Sequence, residues 1–273
     1  MKNRIAPHIA LLGCGHMGSA ILRAWLLNLP QTYHYTIITR SRDKVASFLD
    51  NSNVHWLRAG DPLTETPTAI LIAVKPQQME EALAPYGKKD CLYITIAAGK
   101  SVAFYQPFLK FQGRLIRLMP NIAATVGESM TTAYASHALQ PDDLELTTKI
   151  GTTFGKLIWL DDESLFHGIT AISSSGPAYF FLLAETLIEA AQHHGLSQSF
   201  AETLVTQTLI GSGSYLKASF PTSAEALRQQ VTSPGGITEA ALSVLMNSDG
   251  LNLKTLIEKA ISKAVSRSKE LEQ

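Results

Sequence analysis

Six residues near the start, Gly13-Cys14-Gly15-His16-Met17-Gly18, restrict what this chain can fold into more than any other stretch. They follow the apolar run Ile9-Ala10-Leu11-Leu12 and open a helical pattern from Ser19 to Leu29. Strand, glycine loop, helix is the setting in which G-x-G-x-x-G reads as a dinucleotide site. Gly13 permits the tight turn, Gly15 lets backbone approach a pyrophosphate, and Gly18 lets helix and strand pack closely. The N–H groups that open the helix then face the phosphates with the helix dipole behind them. The alternative for the same pattern is an ordinary tight strand-to-helix turn. His16 and Met17 sit inside the loop, and His16 faces either phosphate or solvent.

The next β-rich run, Tyr35-Thr36-Ile37-Ile38-Thr39, is the expected second strand, and its end bears on the cofactor. An NAD-selective protein places Asp or Glu there, about 20 residues beyond the last glycine, on the ribose hydroxyls. Here Arg40-Ser41-Arg42 fills the slot. A guanidinium and a hydroxyl suit a 2′-phosphate, and no carboxylate repels it. The position favours NADPH over NADH; the alternative is a solvated basic turn.

Strand and helix patterns then alternate. Strands are expected at Val54–Leu57, Ala69–Val74, Cys91–Ile96, Leu115–Leu118 and Leu157–Leu160, with a weaker segment at Thr131–Tyr134. Gln77–Leu83 reads as a short helix, and the polar break His137–Asp143 introduces a helix that runs to Phe154. Alternation of this kind predicts a parallel, doubly wound α/β sheet, with ligands beyond the carboxyl ends of its strands. Val74-Lys75-Pro76 and Ala97-Ala98-Gly99 lie at such ends, and Lys75 is as consistent with a surface lysine as with a nucleotide contact. From Ser164 no strand pattern appears; helices are expected at Leu165–Ser173, Pro177–His194, Ser199–Ser214, Ala224–Gln230, Ile237–Met246 and Leu251–Leu271. We therefore divide the chain into a nucleotide-binding domain, 1–163, and an all-helical domain, 164–273. Pro177 suits a first helical turn, and Ser197 an N-cap. The Pro177 helix carries Phe180, Phe181, Leu183, Leu187, Ile188 and Ala191, more apolar surface than one face needs. It should be buried on several sides, which in so small a domain implies a partner subunit.

Composition excludes several classes. With 23 basic and 23 acidic residues, the chain lacks the basic excess of a nucleic-acid protein. Its longest apolar run, Ala178–Ala184, is far short of a membrane span, and the Lys2 and Arg4 region has no cleavage-site pattern of a secretory signal. Cys14 and Cys91 have neither metal nor disulfide spacing and read as reduced thiols of a cytoplasmic protein. The histidines, His8, His34, His55, His137 and His167 among them, show no ligand spacing, so no metal is expected. His193-His194 suits a helix end.

No acid–base pair stands out, and Ser174-Ser175-Gly176 lacks the frame of a nucleophile elbow. One further constellation does: Ser233-Pro234-Gly235-Gly236-Ile237-Thr238 joins two helical stretches. Free N–H groups at such a helix start can hold a carboxylate, and Ser233 and Thr238 add hydroxyls. A plain helix–helix turn is the equal alternative.

Taken in order, GCGHMG, RS, VKPQ, IAAG, RLMPN…VGE, SSGPAY and VTSPGGIT resemble the pyrroline-5-carboxylate reductase family from about His8 to Leu271. The resemblance implies a Rossmann-type NAD(P)-binding domain followed by a helical dimerisation domain. It also implies reduction of (S)-1-pyrroline-5-carboxylate to L-proline, the last step of proline biosynthesis. Cofactor residues are then Gly13, Gly15, His16, Met17, Gly18, Arg40, Ser41, Val74, Lys75, Pro76, Ala97, Ala98, Gly99 and Asn121. Ser233, Gly235, Gly236 and Thr238 receive the substrate, Thr238 lying near the ring nitrogen as the catalytic residue. A homodimer is implied, and in this family rings of dimers. The chain departs from the family pattern at Ser174 (usually Gly, so that a side chain is added near the substrate mouth), Ile122-Ala123, Gln229, Ile237 and Met246. Two other readings share the layout. A β-hydroxyacid-type dehydrogenase needs an acid–base lysine early in the helical domain, and none stands between Ser164 and Tyr215. A non-catalytic NADP-binding protein has no need of the SPGG turn.

Overall fold

The computed structural model describes residues 6–109, 113–136, 139–248 and 252–272. Lys2, Arg4, His137 and Leu251, named above, lie outside them. The chain runs β1 (His8–Leu12), α1 (His16–Asn28), β2 (His34–Thr39), β3 (Val54–Arg58), β4 (Ala69–Ile72), α2 (Met79–Leu83), β5 (Leu92–Thr95) and α3 (Val102–Tyr105). It continues as β6 (Leu115–Met119), β7 (Ser129–Ala135), α4 (Pro141–Gly151), β8 (Gly155–Leu160) and α5 (Phe166–Ile169). Five helices follow: α6 (Gly176–His193), α7 (Gln198–Ala218), α8 (Ala224–Gln230), α9 (Ile237–Leu245) and α10 (Leu253–Glu272). Two compact units result, one running through Ser175 and resuming at Val265, the other Gly176–Ala264.

In the first unit the described strands form one sheet in the order β3-β2-β1-β4-β5-β6-β7-β8. The order reverses beside β1, at the strand that carries the glycine loop, which is the switch point of a doubly wound sheet. β4, β5 and β6 are buried along their whole length, as strands covered on both faces must be. α1 is fixed to the sheet by Trp25, which is fully buried, stacks on Tyr35 at 5.7 Å and donates Nε1–H to the Ile150 carbonyl at 3.2 Å.

The sheet is parallel, as expected, except at one pairing. β7 runs antiparallel to β6, with Leu118 opposite Ala133. The link 120–128 holds only a 3-10 turn, Ile122–Val126, closed by left-handed Gly127. It is too short for the dozen or so residues that a parallel crossover needs. Three predicted helices also differ locally. α1 begins at His16 rather than Ser19, and residues 76–83 split into a 3-10 turn and α2. Leu165–Ser173 is the short α5 followed by a π turn, Thr170–Ser174. Ser197 does occupy an N-cap position, at α7, but its side chain makes no capping bond.

The loop after β5 is held from two sides within this unit. The Glu163 carboxylate accepts the Val102 N–H at 2.7 Å and pairs with the Arg117 guanidinium at 2.7 Å. Arg117 is a buried residue inside β6, and its guanidinium also lies 4.1 Å from the Phe166 ring centroid. On the other side is the end of α10. A Cβ on Gly99 would stand 3.4 Å from that of Leu271, and Lys100 Nζ donates to the Glu272 carbonyl at 3.3 Å. His167 meets Glu272 and Ser268, each at 3.0 Å.

In the second unit α6 packs against α7. The expectation that α6 is buried on several sides does not hold in the single chain, where Phe180, Phe181 and Leu182 are each about 60% exposed. Exposed apolar side chains clustered on one helix in this way mark an interaction surface.

Two measurements follow. In Glu163→Gln the amide keeps an acceptor for Val102 but leaves the Arg117 charge buried and unpaired. Urea denaturation should therefore show a loss of about 2–3 kcal/mol; unchanged stability would remove the anchor. His8 supplies a pH test. Burial lowers its pKa; Glu65 opposes the shift, whereas His34 and His55 add to it. Its Nε2 meets the Thr36 hydroxyl at 2.8 Å. With the folded pKa depressed, the unfolded chain binds more protons, so stability is lost as pH falls below about 6.5, the ordinary histidine value. The urea midpoint should drop between pH 7 and pH 5.5, and by less in His8→Gln.

Candidate functional site

A cavity of about 700 Å³ opens at the carboxyl ends of β1, β2 and β4, within the first unit. Gly13, Cys14 and Gly15 form part of its lining. The three loop glycines differ in why they lack a side chain. Gly13 has φ +92°, donates its N–H to the Ile38 carbonyl at 2.9 Å, and would bring a Cβ to 2.9 Å from the Ala73 carbonyl oxygen. A Cβ on Gly18 would stand 2.8 Å from the Gly13 carbonyl oxygen, so this glycine sets how closely α1 meets the strand end. At Gly15 nothing beyond its immediate chain neighbours lies within 4 Å of the added atom. Space kept open there is space for something other than the chain. Gly15 is also the N-cap of α1 and makes no side-chain bond, and no acid sits in the helix's first turn. The amides of His16, Met17 and Gly18, orphaned by helix geometry, therefore remain available to an anion.

Arg40 and Ser41 line the same cavity at the end of β2, and Val74 and Lys75 line it beyond β4. The Thr39 hydroxyl ties down the turn between them, donating to the Ser41 carbonyl at 2.9 Å while accepting the Trp56 indole N–H at 3.0 Å. A basic end, an open glycine and a helix start make a lining that fits an anionic dinucleotide. Cys14 adds no nucleophile, since burial pushes its thiol up to about 11; Cys91, also free, is pushed equally high by burial.

Other sequence-named residues are not in this lining. Pro76 starts the 3-10 turn after Lys75. Ala97, Ala98 and Gly99 form the loop anchored by Val102 and Leu271, with Ala97 N–H donating to the Thr95 hydroxyl at 3.3 Å. Asn121 is committed at both ends of its amide, accepting from Ala123 N–H and donating to the Ser173 carbonyl, each at 3.1 Å. The Ser174 hydroxyl oxygen is buried and has no hydrogen-bond partner among the described residues. Among the described residues no group of histidine, cysteine or acidic side chains could hold a metal. No described helix is long and apolar enough to cross a membrane.

Ser233, Gly235, Gly236 and Thr238 lie together in the second unit, at the start of α9. Gly235 is left-handed, φ +70°, and Gly236 is the N-cap, where a Cβ would fall 2.5 Å from the Ser233 oxygen Oγ. Not every turn amide is free. Gly236 N–H donates to the Ser233 carbonyl at 3.0 Å, and Gly235 N–H donates to the Glu239 carboxylate at 2.7 Å. Ile237, one of the departures, is 92% exposed and shields nothing.

Sequence reasoning missed Lys44, Arg58, Gln78, Glu81 and Tyr86 on the cleft, and Glu239 on the turn. The signal for Lys44 is its place one turn beyond Arg40. That for Arg58 is its position at the end of the strand paired with β2. The lone carboxylate of Glu239 carried no signal, because its role depends on a left-handed glycine.

Comparison with known proteins agrees with this geometry. Residues 163–271 match the family described as pyrroline-5-carboxylate reductase dimerisation, and residues 8–99 match that described as NADP oxidoreductase, coenzyme F420-dependent. The chain is similar to the pyrroline-5-carboxylate reductase of Pseudomonas aeruginosa, at 32% identity over 97% of both chains. It is also similar to that of Pasteurella multocida, at 33% identity over 98% of both. Among solved structures, a pyrroline-5-carboxylate reductase from Coxiella burnetii superposes with TM-score 0.84 at 31% identity, over 99% of this chain and 100% of that one. A pyrroline carboxylate reductase from Plasmodium falciparum, solved with NADP bound, shares the fold at TM-score 0.82 and 24% identity over the whole of both chains. With identity of this degree sustained along nearly its full length, the chain belongs to the pyrroline-5-carboxylate reductase family.

Proposed function

We propose that this chain reduces (S)-1-pyrroline-5-carboxylate to L-proline, with NADPH rather than NADH as the preferred hydride donor. Family membership carries the reaction, and the basic end of the cleft carries the cofactor preference. When bound, the cofactor supplies the hydride. The chain supplies place and charge. Gly15 and the first-turn amides of α1 hold the pyrophosphate, with Val74 and Lys75 beside it. Arg40 and Ser41 take the 2′-phosphate. The helical unit serves a homodimer, which the exposed apolar side chains of α6 support, and the two free thiols suit the cytoplasm.

On the substrate side, the Ser233 hydroxyl and the amides that open α9 receive the carboxylate. Glu239 supports this reading, because its own carboxylate oxygen sits on the Gly235 N–H at 2.7 Å. A turn that accepts one carboxylate at hydrogen-bond distance has the donor chemistry for another. The Thr238 hydroxyl hydrogen-bonds the ring nitrogen and orients the imine carbon. A protonated imine accepts hydride far better than a neutral one, so binding the charged ring in the right attitude removes the need for a strong acid. Orientation of this kind accounts for several kcal/mol of barrier.

Absorbance loss on mixing the protein, NADPH and 1-pyrroline-5-carboxylate tests the reading directly. Turnover should be faster with NADPH than with NADH. No consumption of either overturns the activity, and equal rates overturn the preference alone. Thr238→Ala should lower kcat about tenfold, the equivalent of one hydrogen bond of about 1.4 kcal/mol, with NADPH affinity unchanged. Full activity in that variant would remove Thr238 from the reaction.

A further inference from the structure

We infer that Lys44 and Arg58 join Arg40 in a three-cation collar for the phosphate on the adenosine ribose. Discrimination of the phosphorylated from the unphosphorylated dinucleotide then belongs to the paired ends of β2 and β3, not to the Arg40-Ser41 turn alone. The inference rests on reading the cleft as a nicotinamide-dinucleotide site.

Three observations bring these side chains together. Arg40, Ser41, Lys44 and Arg58 all line one cavity, whereas Arg42, the basic residue nearest in sequence, does not. Arg58 closes β3 in register with Thr39, and the ladder continues one step further, Ala59 N–H donating to the Thr39 carbonyl at 3.0 Å. Lys44 comes from the other direction, in the 3-10 segment Asp43–Phe48 that follows the turn.

The segment bearing Arg58 is held in place. Tyr86, buried beneath it, accepts the Gly60 N–H at 3.0 Å and donates to the Asp61 carbonyl at 3.0 Å. Asp61 N–H in turn donates to the Arg58 carbonyl at 3.0 Å. On the other strand, the Thr39 hydroxyl fixes the Ser41 carbonyl. A charged side chain on an anchored backbone loses less entropy on binding than one on a loose loop.

Charge decides what the collar fits. None of Arg40, Lys44 and Arg58 forms an ion pair among the described residues. The carboxylate that lines the cavity is Glu81, on α2 and not on the β2–β3 side. Three cations facing one space repel one another until an anion enters. A phosphate monoester, carrying close to two negative charges, relieves that repulsion, and a ribose hydroxyl does not.

Calorimetric titration of the whole protein with adenosine 2′,5′-bisphosphate and with adenosine 5′-monophosphate tests this without turnover. The wild type should bind the bisphosphate more tightly. Arg58→Gln and Lys44→Gln should each weaken it about tenfold, one charge-assisted contact apiece, and leave the monophosphate within twofold. Arg42→Gln should leave both ligands unchanged. If Arg40→Gln weakens the bisphosphate but Arg58→Gln and Lys44→Gln do not, the collar is wrong and the NADPH reading stands. Equal loss of both ligands in Arg58→Gln also overturns the collar, since Arg58 would then be supporting the adenosine pocket. If the wild type does not prefer the bisphosphate at all, the NADPH reading itself fails.

Discussion

The approach of α1 to the end of β1 sets the geometry on which the nucleotide unit depends. A Cβ at position 18 would stand 2.8 Å from the Gly13 carbonyl oxygen, a distance that no ordinary contact tolerates. Because that atom is absent, the helix lies close enough for Trp25 to bury itself under Tyr35 and for the helix start to face the cleft. Close packing and ligand access thus come from one substitution of hydrogen for methyl. The two glycines that the protein needs for its own packing bracket Gly15, where an added Cβ would meet open space.

The second constraint is electrostatic. A guanidinium buried in the middle of a sheet would cost several kcal/mol alone. Arg117 offsets part of that cost through Glu163 and the Phe166 ring, although its Nε is buried with no hydrogen-bond partner, and the same carboxylate fixes the Val102 amide. Compensation of a buried charge and placement of the loop after β5 are therefore one interaction. At its other end that loop meets the terminus of α10, so a helix from the far end of the sequence helps shape it.

What the sequence makes legible divides along local and non-local lines. Alternating apolar runs and the glycine spacing specify the strands, the switch point and the end of the sheet where the cavity opens, because each rests on neighbours in sequence. The antiparallel β7 is not legible, since the pattern of a buried strand carries no sign of its direction; only the shortness of the link before it does. Arg117 reads as one residue of a strand, and nothing nearby announces the partner 46 positions later. Arg58 is of the same kind, unremarkable in sequence until the pairing of β3 with β2 brings it to the cavity that Arg40 lines. Asn121 shows the converse: a residue in a recognisable block whose amide is taken up by internal partners.

The helical unit reverses the logic of the sheet. In the sheet, apolar residues are buried by the chain that carries them; along α6 they are not, although the helix is continuous from Gly176 to His193. With Phe180, Phe181 and Leu182 about 60% exposed, the burial each forgoes is worth about 1–2 kcal/mol. A family whose defining feature over these residues is dimerisation removes that cost by association. The SPGG turn belongs to the same unit, and its residues too are largely exposed in the single chain. Glu239 then acquires a second meaning. By holding the Gly235 amide, it satisfies a donor at a left-handed glycine and ties the turn to the helix that follows it.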